Sequence, residues 1–144
     1  MTEPRAEPVE IAVDVEVRYA ETDQMGVVHH AQYPVWFEIA RTRLCAESGF
    51  HYAEIERLGY YLMVSRVEVS YRRPARYGDT VRVGCSLARL GSRGLSFAYR
   101  VTRDGERLAT GATDHVWVEA AGGKPCRMPE PLRAPFARLA GRAG

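Results

Sequence analysis

One short segment of the chain contains the residue types that chemistry on an acyl carbonyl requires. Residues 22–33 read Thr-Asp-Gln-Met-Gly-Val-Val-His-His-Ala-Gln-Tyr, with one carboxylate (Asp23), one glycine (Gly26) and two imidazoles (His29 and His30). A carboxylate can act as a general base to water or as a direct nucleophile. Free backbone N–H groups where a helix begins can stabilise an oxyanion. The segment therefore predicts acyl-transfer chemistry.

The segments on either side predict a strand before this loop and a helix after it. Apolar and polar residues alternate over residues 11–19, which is typical of a half-buried strand. Pro34 suits the first turn of a helix and Gly49 suits its C-terminal end. A helical stripe with spacing i, i+3, i+4, i+7 and i+11 runs through Tyr33, Trp36, Phe37, Ala40 and Leu44. Because Val35, Ile39 and Cys45 widen this stripe, we expect the helix to be covered on more than one side.

The rest of the chain predicts mainly β-structure. A short helix is expected over residues 52–58, followed by strands over 61–73, 80–90, 95–102 and 106–119, with Asp104-Gly105 as a hairpin turn and a helical turn over 135–139. Short connections favour antiparallel pairing, so we predict an α+β domain in which a curved sheet surrounds a helix. We expect a tail over 1–10, the domain over 11–132 and a tail over 133–144. A long final strand would leave an open edge, which a second copy of the chain can cover.

Composition narrows the class of protein. The 144 residues have 46% hydrophobic and 26% charged content and a net charge of +2, which indicates one globular domain and gives no sign of a nucleic-acid partner. No apolar run is long enough to span a membrane, and the acidic, proline-containing residues 1–10 do not resemble a signal peptide. Cys45, Cys85 and Cys126 form no CxxC pair, so we expect reduced thiols that pack in the core and a cytoplasmic location.

Two motifs resemble those of a known family. The pattern Tyr-x-x-Thr-Asp-x-x-Gly-x-Val-x-His-x-x-Tyr occupies residues 19–33, and Tyr-x-x-Pro-x-x-x-Gly-Asp occupies residues 71–79. Both resemble the acyl-CoA thioesterases of the hot-dog fold, in the 4-hydroxybenzoyl-CoA thioesterase-like branch. The similarity runs from about Val13 to about Leu132. His29 stands where this family often has an aromatic residue, and Gln32 where it often has asparagine.

The resemblance implies a fold, an assembly and roles for individual residues. The fold is a five-stranded antiparallel sheet wrapped around one long central helix. The assembly is a dimer with a continuous sheet, often paired into a homotetramer, with active sites between subunits. Asp23 falls on the catalytic aspartate, and the backbone N–H of His30 falls where the thioester carbonyl is polarised. Arg93 matches a nucleotide contact, and Ser65 matches a position near the active site of the neighbouring subunit.

Several residues have competing interpretations. Asp23 can be a turn aspartate instead of a catalytic one. Glu38, on the helix, is the rival carboxylate, although we expect it to pair with Arg41 or Arg43. Tyr33 is a core residue or lines the acyl pocket. Arg72, Arg73 and Arg76 lie near the second motif, where they can bind phosphate or simply face solvent.

The residues together with the resemblance imply three candidate functions. The leading hypothesis is an acyl-CoA thioesterase that releases CoA and a small, medium or aromatic acid, with no metal and no cofactor. The alternatives are hydrolysis on acyl carrier protein and a non-catalytic acyl-CoA-binding module. A hydratase is less favoured, because His29 and His30 share the loop of Asp23 without an orienting partner. Asp114 and His115 point to opposite faces of a strand and are interpreted as structural.

Overall fold

The computed structural model describes residues 7–142. Its five strands are β1 (Glu10–Glu16), β2 (Tyr60–Tyr71), β3 (Thr80–Leu90), β4 (Gly94–Arg103) and β5 (Glu106–Glu119). Its three α-helices are α1 (Gln32–Glu47), α2 (Tyr52–Arg57) and α3 (Arg133–Leu139). Single 3₁₀ turns are present at Tyr19–Glu21 and Glu130–Leu132.

The strands form one antiparallel sheet in the order β1-β3-β4-β5-β2. Tight turns join β3 to β4 and β4 to β5, and the second turn has positive φ at Asp104 and Gly105. The five-stranded antiparallel sheet is confirmed. The expectation that the last strand forms an open edge is wrong, because β5 lies between β4 and β2 and the edges are β1 and β2.

Helix α1 packs its apolar stripe on the sheet. The rings of Trp36 and Phe37 are fully buried, and Phe37 stacks on Tyr99 of β4 with ring centroids 4.1 Å apart. Gly111 of β5 leaves the space that the Phe37 ring occupies, since a Cβ there would overlap it. Val35 and Ile39, which we expected to be covered, are instead about half exposed.

The helices differ from the expectation of one long central helix. Helix α1 has 16 residues and is not the only helix, since the short helices α2 and α3 lie where a short helix over 52–58 and a helical turn over 135–139 were expected. The C-terminal residues are not a tail throughout: Phe136 and Leu139 of α3 are buried, and the carbonyl of Leu139 accepts a hydrogen bond from the Val9 amide at 2.9 Å. Residues 1–6 of the expected N-terminal tail lie outside the described residues. Within 7–142, no helix is long and apolar enough to cross a membrane.

Candidate active site

Asp23 opens a tight turn between β1 and α1. Its amide donates to the Val27 carbonyl at 2.8 Å, and the Gly26 amide donates to the Asp23 carbonyl at 3.0 Å. Gly26 has φ +78°, a conformation that other residues rarely adopt. One carboxylate oxygen of Asp23, Oδ1, accepts the Met25 amide at 2.8 Å. Asp23 is thus a turn aspartate through Oδ1, while Oδ2 has no donor among residues 7–142.

The second motif supports this turn from the side. The amide of Val28 donates to the carbonyl of Ala75 at 2.8 Å. Asp79, at the end of that motif, accepts the Arg76 amide at 2.8 Å and an Arg103 guanidinium N–H at 2.7 Å. Burial alone would raise the pKa of Asp79, but these hydrogen bonds and the positive charge of Arg103 hold it below its usual value. These hydrogen bonds hold residues 71–79 in a defined turn, and the bond from Val28 to Ala75 fixes the position of the Asp23 loop against it.

The histidine pair lies where helix α1 begins. The Nδ1 atom of His29 accepts the Ala31 amide at 3.1 Å, and its carbonyl accepts the Gln32 amide at 3.0 Å. The His29 and His30 rings stack with centroids 4.2 Å apart. The His30 carbonyl accepts the hydroxyl of Tyr71 at 2.7 Å. The His30 amide donates to no acceptor in the described part of the chain. His29 therefore accepts two amides just where helix α1 begins, and the backbone of His30 leaves a free donor.

Asp23 and His30 line the same cavity. Its volume is about 310 Å³, and Tyr33, Tyr71, Val27 and Val28 also line it. Arg72 and Arg73 add positive charge to this mainly apolar wall. Tyr33 is buried, which raises the pKa of its hydroxyl, and its ring packs edge-on against Tyr71. Residues that carry a carboxylate, a free amide and cationic groups thus line a mainly apolar cavity, which is the combination that binding of an acyl thioester would require.

Glu21 supports the site, although sequence reasoning did not identify it. Glu21 as a whole residue is only 3% exposed. The carboxylate accepts the Trp36 indole N–H at 3.0 Å and the Arg18 amide at 2.8 Å, and its carbonyl accepts the His29 amide at 2.8 Å. Burial alone would raise the pKa of Glu21, but the bonds from Arg18 and Trp36 outweigh it and lower the pKa. The available signal was a carboxylate two residues after the alternating segment 11–19 and two residues before Asp23.

Three expected site residues lie away from this cavity within one chain. Glu38 is exposed on α1 and lines a separate groove. Ser65 is the extra residue of a bulge in β2, and Arg93 is exposed in the turn before β4. Among the described residues Glu38 forms no ion pair, so its expected pairing with Arg41 or Arg43 is wrong. For Arg41 the reason is that its side chain turns inward, where its Nε atom is buried.

The remaining reactive side chains belong to the core or to the outer sheet face. His115 is buried and its Nε2 lies 2.8 Å from the Thr113 hydroxyl, whereas Asp114 accepts the Ser96 hydroxyl at 2.6 Å. The two side chains therefore do not form a dyad. Cys45 is buried, which raises the pKa of its thiol to about 12 and keeps it protonated. No cluster of three or more potential metal ligands is present among residues 7–142.

Comparison with known proteins assigns the family. Residues 17–136 match the model of the thioesterase-like superfamily, and the chain belongs to this family. YneP of Bacillus subtilis is 37% identical over 116 residues, which are 80% of this chain and 84% of YneP. The name of YneP assigns it a provisional acyl-CoA thioesterase activity.

Two solved structures from Thermus thermophilus share both fold and sequence. A hypothetical protein is 41% identical with a TM-score of 0.85, over 89% of this chain and 98% of that one. A thioesterase solved with coenzyme A and Zn is 35% identical with a TM-score of 0.77, over 91% of this chain and 95% of that one. The hot-dog thioesterase resemblance read from the two motifs is confirmed.

Proposed function

We propose that this protein is an acyl-CoA thioesterase that hydrolyses a thioester to a free acid and CoA. The observation that carries the proposal is the cavity that Asp23, with its carboxylate, and His30, with its free amide, both line. Membership of the thioesterase-like superfamily supports the reaction class. The coenzyme A held by the Thermus thermophilus relative supports CoA as the carrier of the acyl group.

The residues of the cavity suggest two routes for the same reaction. In the first, Asp23 takes a proton from water as the water oxygen attacks the thioester carbonyl. In the second, the Asp23 carboxylate attacks the carbonyl itself, CoA thiolate leaves, and water hydrolyses the resulting mixed anhydride. In both, the His30 N–H donates to the oxyanion, the C–S bond breaks and the thiolate takes up a proton. Gly26 keeps the loop backbone in the shape that presents Asp23.

The residues that line the cavity favour certain acyl groups and a certain carrier. Val27, Val28 and the rings of Tyr33 and Tyr71 favour a small or medium aliphatic group or an aromatic one. Arg72 and Arg73 suit the phosphates of CoA, because a guanidinium binds phosphate through two parallel N–H groups. Hydrolysis on acyl carrier protein and binding without hydrolysis are the alternatives. A higher kcat/KM for the same acyl group on acyl carrier protein than on CoA would identify the first alternative. A rise in melting temperature with acyl-CoA but no turnover would identify the second.

The edge strand β2 suggests the assembly. Apolar residues on it are between two-fifths and just over half exposed, namely Tyr61, Met63, Val64, Val67 and Tyr71. An open edge that carries such residues favours pairing with another β-strand. We propose a homo-oligomer, a dimer or a dimer of dimers, in which Ser65 and Arg93 of one chain approach the cavity of another. We also propose the cytoplasm as its location, in keeping with three unpaired cysteines.

The test of this function is the variant Asp23→Asn. Asparagine keeps an Oδ1 acceptor for the Met25 amide, so the turn is preserved while the base and nucleophile are lost. We expect kcat to fall by about 10²–10⁴-fold, the range that a positioned base contributes, with an unchanged melting temperature. The matched control is Asp104→Asn, in the turn before β5, where asparagine tolerates the positive φ. Full turnover in Asp23→Asn across short, medium and aromatic acyl-CoAs would refute the assignment.

A further inference from the structure

The backbone of His30 is held on both sides of its amide. On one side, the preceding amide, of His29, donates to the carbonyl of Glu21 at 2.8 Å. On the other side, the carbonyl of His30 accepts the hydroxyl of Tyr71 at 2.7 Å. The free N–H of His30 lies between these two bonds. The carbonyl of His29, which shares a peptide plane with this N–H, accepts the Gln32 amide at 3.0 Å. Of the groups that hold this backbone, the Tyr71 hydroxyl is the one that comes from a distant strand, and it does not itself need to touch the substrate's carbonyl.

We propose that Tyr71 is a positioning residue, whose hydroxyl orients the oxyanion-binding amide of His30. This inference rests on the proposed thioesterase function. Tyr71 acts through His30: its hydroxyl holds the His30 carbonyl, and the carbonyl fixes the rotation of the residue that carries the free N–H. Preorganised donors of this kind stabilise developing charge without reorganising during the reaction.

Tyr71 is well placed to act as a fixed anchor. It pairs with Ala109 at the end of the β2–β5 ladder, and the amides of Arg72 and Arg73 both donate to the carbonyl of Leu108, at 2.8 and 3.1 Å. Its ring packs edge-on against Tyr33 with centroids 5.0 Å apart. The backbone and the ring are thus held independently of the hydroxyl. Replacement by phenylalanine removes the bond to His30 and leaves the other contacts in place.

A purely structural role for this hydroxyl predicts a different outcome. The bond between Tyr71 and His30 is exposed, so its loss should hardly change global stability. A displacement of about 1 Å in a positioned group, in contrast, can reduce the rate about 100-fold. A positioning role therefore predicts a loss in kcat that is out of proportion to any change in melting temperature or KM.

The kinetic test is Tyr71→Phe, assayed on the full chain with acetyl-, hexanoyl- and benzoyl-CoA. We expect kcat to fall by about 10- to 100-fold, with KM and melting temperature unchanged. Tyr77→Phe is the matched control: Tyr77 lies in the turn between β2 and β3, is largely exposed, and its hydroxyl has no partner within residues 7–142. Wild-type kcat in Tyr71→Phe, or a kcat loss equal to that of the control, would overturn the proposal.

A second measurement decides the proposal without relying on turnover. The order parameter of the His30 backbone amide, measured by ¹⁵N relaxation, should fall in Tyr71→Phe from a rigid value of about 0.85 and stay unchanged in Tyr77→Phe. An equally rigid His30 amide in Tyr71→Phe contradicts positioning, whatever happens to kcat. An active Asp23→Asn enzyme would instead refute the proposed function, while the amide measurement would still decide the role of Tyr71.

Discussion

The Glu21 carboxylate accepts the indole N–H of Trp36 at 3.0 Å, and this buried bond ties the segment before Asp23 to helix α1. Glu21 also holds the Arg18 amide through its other oxygen and the His29 amide through its carbonyl. One residue thus connects the end of β1, the loop and the helix. The separation between Asp23 and His30 depends on this connection, because Asp23 follows Glu21 by two residues and His30 follows His29.

Glu21→Gln should destabilise the fold. The amide group of glutamine places N–H donors where the carboxylate accepted two, so one of the donors from Arg18 and Trp36 loses its partner. Leaving a buried polar group unsatisfied costs about 1–3 kcal/mol, and we expect that loss in the free energy of unfolding by urea. Glu56→Gln, on the exposed side of α2, is the control and should change little. Equal stability of the two variants would refute a role for this bond.

Gly26→Ala should impair the loop through backbone strain alone. A Cβ at Gly26 would meet no atom within 4 Å, but φ is +78°. A left-handed conformation costs a residue with a Cβ about 1 kcal/mol, so the turn should relax and Asp23 should move. Gly49→Ala is a matched control, since it too has open space and φ +93° but lies where α1 ends. We expect similar losses of stability in both and a fall in kcat only for Gly26→Ala; equal kcat values would contradict the loop's role.

The stability of the protein should fall between about pH 6.5 and pH 4 because of His115. Burial, with the nearby charge of Arg41, lowers the pKa of this imidazole from 6.5 to about 4. In this window the unfolded chain binds a proton that the folded chain does not, so stability is full above pH 6.5 and decreases as the pH falls. This shift in the pKa of His115 corresponds to a loss of about 3 kcal/mol in the free energy of unfolding once the pH lies below about 4.

The variant His115→Gln checks this source of pH dependence, because glutamine does not titrate. Melting temperatures measured from pH 7.5 to pH 4 should fall less steeply in His115→Gln than in the wild type. The control His51→Gln removes an exposed imidazole and should keep the wild-type slope. An unchanged slope in His115→Gln would show that other groups cause the loss of stability in acid.

Turnover should survive removal of metal ions. The proposed reaction uses a carboxylate and a backbone amide, and neither requires a metal. Enzyme dialysed against EDTA and assayed in metal-free buffer should keep its kcat. The Zn present with the related Thermus thermophilus thioesterase makes Zn²⁺ the cation to add back. Activity that is lost on dialysis and restored by Zn²⁺ would contradict the metal-free mechanism.

The sequence by itself determined the elements and the reacting segment, because these depend on local periodicity and spacing. The alternation over residues 11–19, the helical stripe from Tyr33 and the Asp104-Gly105 turn each predicted a neighbouring stretch of structure, and the structure contains a strand, a helix and a hairpin there. The motif at 19–33 likewise pointed to Asp23 and His30, which the structure places on one cavity.

Only the tertiary structure decided which distant groups hold that segment in place. The bonds from Tyr71 to His30, from Val28 to Ala75 and from Trp36 to Glu21 join residues far apart in the sequence, and no local pattern specifies such pairs. The order of the strands, which puts β5 inside the sheet and β2 at its edge, is also a global property. The segment 22–33 therefore supplies the reactive groups, whereas packing against β2, α1 and the 71–79 turn fixes their separation.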